Sequence, residues 1–406
     1  MERALLDNGL RLIMKRRQDV KTVAITVIVR TGSINENKNN NGIAHFVEHM
    51  LLRGTRKYSQ NKLLEMIQSA GGIFDAITQK TYTKYEINTR SESVNSGLGV
   101  LYNILFDSVF DESSVAKERG VVLEEIKQQM NDPFILSRVL FEKEVHKSDP
   151  LSLCILGTEE TIKKITRNEL YLFYKKYYVP NSMVIAVVGN ISYADVERKV
   201  KELFGKNNKG ERTEQSISTK IPITKRETEL NKDGLKQSHI IIGWCAPTIF
   251  DDEKYAMEII MSVLGKNMNS RLSMKFINEL GIAYKTGAEF NDKEGYCFCN
   301  LAISPENTNL AKITLLKIIA NFIENGITKN ELQSTKNYIK GIKAYFQELN
   351  RTLSEQYGIA ESFTKAEEVE LYDKKIDSIM LEEINKTIKK FISKDKYTMV
   401  TLKPSD

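Results

Sequence analysis

The second half of this chain repeats the order of the first, and that repeat constrains the fold more than any single segment. Thr22–Arg30 (TVAITVIVR) is alternating and rich in β-branched residues, which predicts a strand. A polar, asparagine-rich loop at Gly32–Asn41 leads into an amphipathic helix over Asn41–Leu52. A second helix, Gln60–Ala70, stops at Gly71-Gly72, and strands follow at Ile73–Thr78 and Thr83–Arg90. Beyond residue 226, Ser238–Trp244 (SHIIIGW) takes the place of the first strand, Glu253–Leu264 of the first helix and Ser270–Leu280 of the second. Gly281 stands where Gly71 stood. Between Phe204 and Arg226 the composition turns to Lys, Asn, Gly, Ser and Thr, the mark of a linker. At 406 residues the chain exceeds one ordinary core. The expectation is an α+β protein of two similar α/β-sandwich halves, each a mixed sheet covered by helices: 1–205, a linker at 206–228, and 229–406.

Composition excludes several classes. The chain is 41% apolar and 28% charged, and its net charge of +6 is spread among interspersed acids and bases. That is a mild bias, not a nucleic-acid footprint. No run of 18 apolar residues exists, so no membrane span is expected. Met1–Leu12 reads neither as a secretory signal nor as an arginine-rich presequence, which makes the cytoplasm the expected location. Cys154, Cys245, Cys297 and Cys299 form no C-x-x-C pair and read as free thiols.

The first-half helix carries His45-Phe46-Val47-Glu48-His49, an H-x-x-E-H run holding two of the chain's four histidines. His45 and His49 lie one turn apart on one helical face, so two imidazoles can hold one metal ion. Glu48 sits close to that face, within reach of a water on the metal. The spacing is that of inverted zinc-hydrolase motifs. A hydrolytic zinc site takes three protein ligands, so a distant helix must supply the third. Glu118 and Glu125, seven residues apart in ERGVVLEE, share a face of a predicted helix over Glu112–Gln129, about 10.5 Å apart along its axis. One can bind metal while the other supports the site from behind. Glu124 competes with Glu125, and the seven-residue interval from Glu118 favours Glu125. His146 and His239 read as ordinary surface or strand histidines. The second half has no H-x-x-E-H, so one zinc ion and one active site per chain follow.

These motifs resemble the pitrilysin/insulinase-like metallopeptidases, the inverzincins, and among them the bacterial processing-peptidase-like members. The resemblance runs over essentially the whole chain: Asn8-Gly9-Leu10-Arg11, Gly42-Ile43-Ala44 before the motif, Arg53-Gly54-Thr55, Gly71-Gly72, the Glu118–Glu125 segment, Asp132-Pro133, Gly157-Thr158, Pro180-Asn181, Gly189-Asn190, Ser270-Arg271-Leu272 and Gly281-Ile282-Ala283-Tyr284. It implies that His45, His49 and Glu125 bind Zn2+, that Glu48 is the general base, and that Glu118 is the supporting carboxylate. It also implies that an extended peptide adds to the strand after the double glycine, placing Phe74, Asp75 and Ala76 at the substrate, with Tyr284 contributed from the second half.

Two departures qualify that picture. Asp75 stands where an asparagine is common, and it either faces the bound peptide and favours basic residues or serves as a turn or capping residue. Thr81 stands where a glutamate is common. Seven residues before Tyr284, where active members carry an arginine, is Ile277, which cannot donate a hydrogen bond; Lys275 and Arg271 are expected on other helical faces. The expected function is therefore a zinc endopeptidase acting on peptides or unfolded leader segments. It would be the catalytic subunit of a heterodimer whose homologous partner lacks the zinc motif and supplies the arginine, or else a homodimer or monomer with a weakened clamp or another basic residue in that role. The alternative is a non-catalytic peptide-binding or assembly subunit.

Overall fold

The computed structural model describes residues 1–405 except 148–149, 213, 216 and 218–223. The first sheet contains β1 (Glu2–Leu5), β2 (Arg11–Arg16), β3 (Thr22–Val29), β4 (Ile73–Thr78), β5 (Thr83–Arg90) and β6 (Met183–Gly189). Their order is β1-β2-β6-β3-β5-β4, which leaves β4 with one free edge. β2 and β6 run parallel, and the other neighbours are antiparallel.

Side-chain alternation decides what each face of this sheet touches. Val23, Ile25, Val27 and Val29 of β3 join one core with α1 (Ile43–Leu51), α2 (Gln60–Ser69), α3 (Val94–Phe106) and α4 (Glu112–Asn131). The intervening residues face the opposite way, onto the helix Asn350–Phe363. There Thr26 Oγ1 lies 2.7 Å from Ser354 Oγ. At Gly358 the helix approaches so closely that a Cβ would stand 2.8 Å from Ile28 Cγ1.

The second sheet contains β7 (Arg226–Lys232), β8 (Ser238–Cys245), β9 (Ala283–Asn291), β10 (Tyr296–Ile303) and β11 (Thr398–Pro404), in the order β7-β11-β8-β10-β9. One of its faces is covered by α5 (Pro133–His146), whose Phe141 and Val145 pack with Ile241, Phe298 and Val400. The two mixed sheets covered by helices are the expected α+β halves. The compact units, however, are discontinuous: 1–127 with 153–215 and 344–370, and 128–152 with 216–343 and 371–406. Each sheet thus takes one cover helix from the other half of the sequence, which contiguous boundaries at 205 and 229 do not capture. β7 also begins inside the segment read as linker, part of which (213, 216 and 218–223) lies outside the described residues.

The second-half helices differ from the α-helices expected. Lys254–Met261 is α, but Ser262–Lys266 and Met274–Glu279 wind in wider π-type turns. The first of these sets Gly265 directly on the β9 backbone, where a Cβ would stand 2.6 Å from Ala288 N. No disulfide joins the four cysteines, and Cys245, Cys297 and Cys299 are buried.

The close approach at Gly358 gives a direct test. Gly358→Val forces atoms into the Ile28 contact and is expected to destabilise the chain by roughly 1–3 kcal/mol, read as a lower urea midpoint. An unchanged midpoint would contradict the close packing of this helix on β3.

Candidate metal centre

Helix α1 starts without a side-chain cap of its own. Gly42 has φ +94°, and a Cβ there would lie 2.7 Å from Leu156 O, so glycine is required. The open N–H groups go to Glu36 in the preceding loop. Its Oε1 accepts from Ala44 N and its Oε2 from Gly42 N, both at 2.8 Å. Asn41 Nδ2 donates to the same Glu36 Oε2 at 2.8 Å and to Cys154 O at 2.7 Å, tying the helix start to the segment before Gly157. Burial pushes the Glu36 carboxyl up to about 7, against the hydrogen bonds from Gly42 and Ala44 that favour its charged form. A carboxylate at this end of the helix also complements the helix dipole.

From that fixed start, α1 turns Phe46, Val47 and Met50 into the core and leaves His45 and His49 half-buried. Helix α4 faces them with Glu118 and Glu125. His45 Nε2 is 3.0 Å and His49 Nε2 3.4 Å from Glu125 Oε2. The ligand atoms of the three residues all lie within 4.8 Å of one another. Donors about 2.0–2.1 Å from a tetrahedral zinc ion stand roughly 3.3 Å apart, so this set fits zinc. Glu124 is exposed, pairs with Lys127 at 2.7 Å and lies outside the cluster of His45, His49 and Glu125.

Behind these three residues, Glu118 is fully buried. Its Oε2 lies 3.1 Å from His49 Nδ1, which selects the tautomer presenting Nε2 towards Glu125. Its Oε1 lies 2.5 Å from Arg53 Nη2. Glu48 is held from the sheet: Thr78 Oγ1 donates to Glu48 Oε2 at 2.6 Å, and the same oxygen is 3.6 Å from His45 Nδ1. Glu36, Arg53 and Thr78 escape the sequence reading of the site. None belongs to the helical repeat that exposes the ligands, and only the strand parity of Thr78 with Phe74 and Ala76 hints at its direction.

The remaining predicted residues are placed as follows. Phe74 and Ala76 of β4 pack on the α1 side of the sheet. Asp75 points through the opposite face, 3.4 Å from Arg351 Nη2 and 3.9 Å from Lys84 Nζ. Its carboxylate therefore belongs to an ion network against the helix Asn350–Phe363, away from the Phe74 side. Thr81 is buried. Tyr284, on β9 of the second unit, is 82% exposed and shares a groove of about 710 Å³ with Ile277, Met268 and Tyr338. Arg271 is paired with Glu331 at 2.8 Å and Lys275 with Glu279.

Charge in this cluster is coupled to protonation. Burial opposes a charge on His45, but hydrogen bonds to Glu125 and Glu48 outweigh it and push the imidazole up to about 9. Hydrogen bonds from His45 and then His49 hold the Glu125 carboxyl down at about 2. In the metal-free protein the raised His45 keeps its proton until the pH passes about 9. Zinc uptake must expel that proton, so apparent zinc affinity is expected to rise about tenfold per pH unit from neutrality and to level off above that value. A competition titration against a chromogenic chelator reads this, and a flat profile would rule out the protonated pair. Separately, Glu36→Ala strands three donors at the start of the ligand helix and should weaken zinc binding by about 10- to 100-fold. The same titration measures that loss, and unchanged affinity would deny Glu36 its part in placing His45.

The sequence matches the profile of the insulinase family, peptidase family M16, over residues 11–158, and that of the peptidase M16 inactive domain over 164–339. An uncharacterised zinc protease of Bacillus subtilis is 29% identical across 100% of this chain and 98% of its own length. One from Rickettsia bellii is 32% identical over 70% of this chain and 68% of its own. A probable mitochondrial-processing peptidase subunit beta of Arabidopsis thaliana is 30% identical over 64% of this chain and 49% of its own. Among solved structures, a protease from Helicobacter pylori superposes with a TM-score of 0.94 at 19% identity, covering 99% of both chains. The Escherichia coli periplasmic protease PqqL aligns with a TM-score of 0.81 at 20% identity, 100% of this chain covering 47% of that one. Among the described residues no helix is long and apolar enough to cross a membrane. By its sequence profile and its relatives, this chain belongs to the M16 family of peptidases.

Proposed function

We propose that the chain is a zinc-dependent endopeptidase acting on peptides or unfolded segments such as leader sequences. The observation that carries this reading is the convergence of His45, His49 and Glu125, with the Glu48 carboxylate on the same helix as the two histidines. Zinc held by those three residues supplies an acidified water and a Lewis acid for the peptide carbonyl. Glu48, on the same helix as the two histidines, would accept the proton of the attacking water and return it to the departing amine. Glu118, held by Arg53, keeps His49 in the tautomer that offers Nε2. The free edge of β4 gives an extended peptide main-chain partners, with Phe74 and Ala76 on the side that faces α1. Binding of this kind depends little on side-chain sequence.

Ile277 supports a two-chain assembly. With no donor at that position, a homologous partner chain lacking the zinc motif would bring the arginine, and a homodimer is the other arrangement. The mitochondrial-processing relative is named as one subunit of a peptidase, and the periplasmic protease is long enough to hold two such chains. The cytoplasm is the compartment we assign, supported by four cysteines with no disulfide among them.

The test is peptide cleavage by the zinc-loaded chain, alone and mixed with a candidate partner. Glu48→Gln is expected to keep its zinc and lower turnover by roughly 10²- to 10⁴-fold. A variant that cuts as fast as the parent, or a purified chain that takes up no zinc, would overturn the reading. Activity confined to the mixture would identify the heterodimer.

A further inference from the structure

Thr78 stands where two parts of the proposed enzyme meet. It is the last residue of β4, and its backbone pairs with Thr83 of β5. Its side chain leaves the sheet on the same side as Phe74 and Ala76 and donates its hydroxyl to Glu48 Oε2 at 2.6 Å. The two side chains are nearly enclosed, Thr78 at 5% and Glu48 at 9% exposure, so water competes weakly for this bond. With Oε2 engaged by Thr78, Oε1 is left to receive a proton. The strand itself is restrained by β5 on one side only. Among the described residues no strand pairs with its outer edge, and Ile73 and Ile77, on the Asp75 face, are exposed. An outer strand with one neighbour is among the least restrained parts of a sheet.

We propose that Thr78 is a positioning residue that converts the pairing of an extended peptide along β4 into alignment of Glu48. The inference rests on the peptidase reading above and adds a coupling to it. A peptide that pairs along the outer edge of β4 supplies the strand's missing neighbour. The hydroxyl at the strand's end passes that restraint to the carboxylate oxygen it holds. Peptide length then raises kcat as well as lowering KM, because binding away from the scissile bond is used to order a group that acts in the transition state.

The test uses the zinc-loaded protein, with its partner chain if activity requires one, and two unmodified peptides sharing one cleavage sequence. They are roughly 6 and roughly 14 residues long, so only the longer can pair along a whole strand and still cross the site. In the parent, kcat for the longer peptide is expected to be about tenfold higher. Thr78→Val, which keeps the shape and removes the hydroxyl, should erase that advantage while zinc content and the KM of the longer peptide stay within about twofold. Thr78→Ser restores the donor and should restore most of the advantage. A length advantage that persists in Thr78→Val overturns the proposal. So does a parallel fall of kcat, zinc uptake and binding, which marks a merely structural role. Failure of the peptidase reading looks different, since the parent and Glu48→Gln would then process both peptides alike, and the coupling falls with it.

Discussion

Both faces of the central strands must be covered, and the architecture follows from that requirement. β3, β6, β8 and β10 are buried along almost their whole length, with apolar or neutral side chains on both sides. A sheet of this kind is stable only between two layers. In the first unit one layer includes α1 to α4, and the other is built mainly from the helix Asn350–Phe363, far along the chain. The sheet beneath α1 is what allows a candidate metal centre to be assembled from two helices and one outer strand. His45, Glu48 and His49 ride on α1, Glu118 and Glu125 on α4, and Thr78 on β4. Each of these elements packs against the same buried core.

The electrostatics of the centre follow from burial. Every enclosed carboxylate there has an assigned partner: Glu36 the start of α1, Glu118 the pair Arg53 and His49, Glu48 the hydroxyl of Thr78. Buried charge without such partners is costly. Around the histidines, three carboxylates (Glu48, Glu118 and Glu125) face one guanidinium, that of Arg53. With neutral imidazoles this leaves a negative excess that a divalent cation balances. In the metal-free protein a proton on His45 covers part of the excess, which is the physical reason its imidazole is pushed up despite burial.

What could be read from sequence is what periodicity encodes. The one-turn spacing of His45 and His49 and the two-turn spacing of Glu118 and Glu125 put ligands on helix faces, and the structure brings those faces together. The repeat of strands and helices gave two sheets for the same reason. Periodicity does not say which sheet a helix will cover, so the exchange of α5 and Asn350–Phe363 was invisible. It also assumes 3.6 residues per turn, and the π-type turns after Ser262 and Met274 break that assumption where Arg271, Lys275 and Ile277 were compared. Glu36 was missed because caps come from aperiodic loops. Asp75 was legible in principle, since strict alternation sets it opposite Phe74 and Ala76.

The exchanged helix bears on how the protein is made. All six strands of the first sheet are complete once Gly189 has been synthesised, but the layer that covers β3 and β6 is not finished until Phe363. At ribosomal speeds of about 5–20 residues per second, the nascent sheet waits on the order of ten to thirty seconds with Ile13, Val184 and Ala186 uncovered. During that interval the first unit is a half-built sandwich with an apolar face open to other nascent chains or to chaperones. A fragment ending at the apparent boundary near residue 205 would remain in that state, so neither half of this chain is a separable folding module.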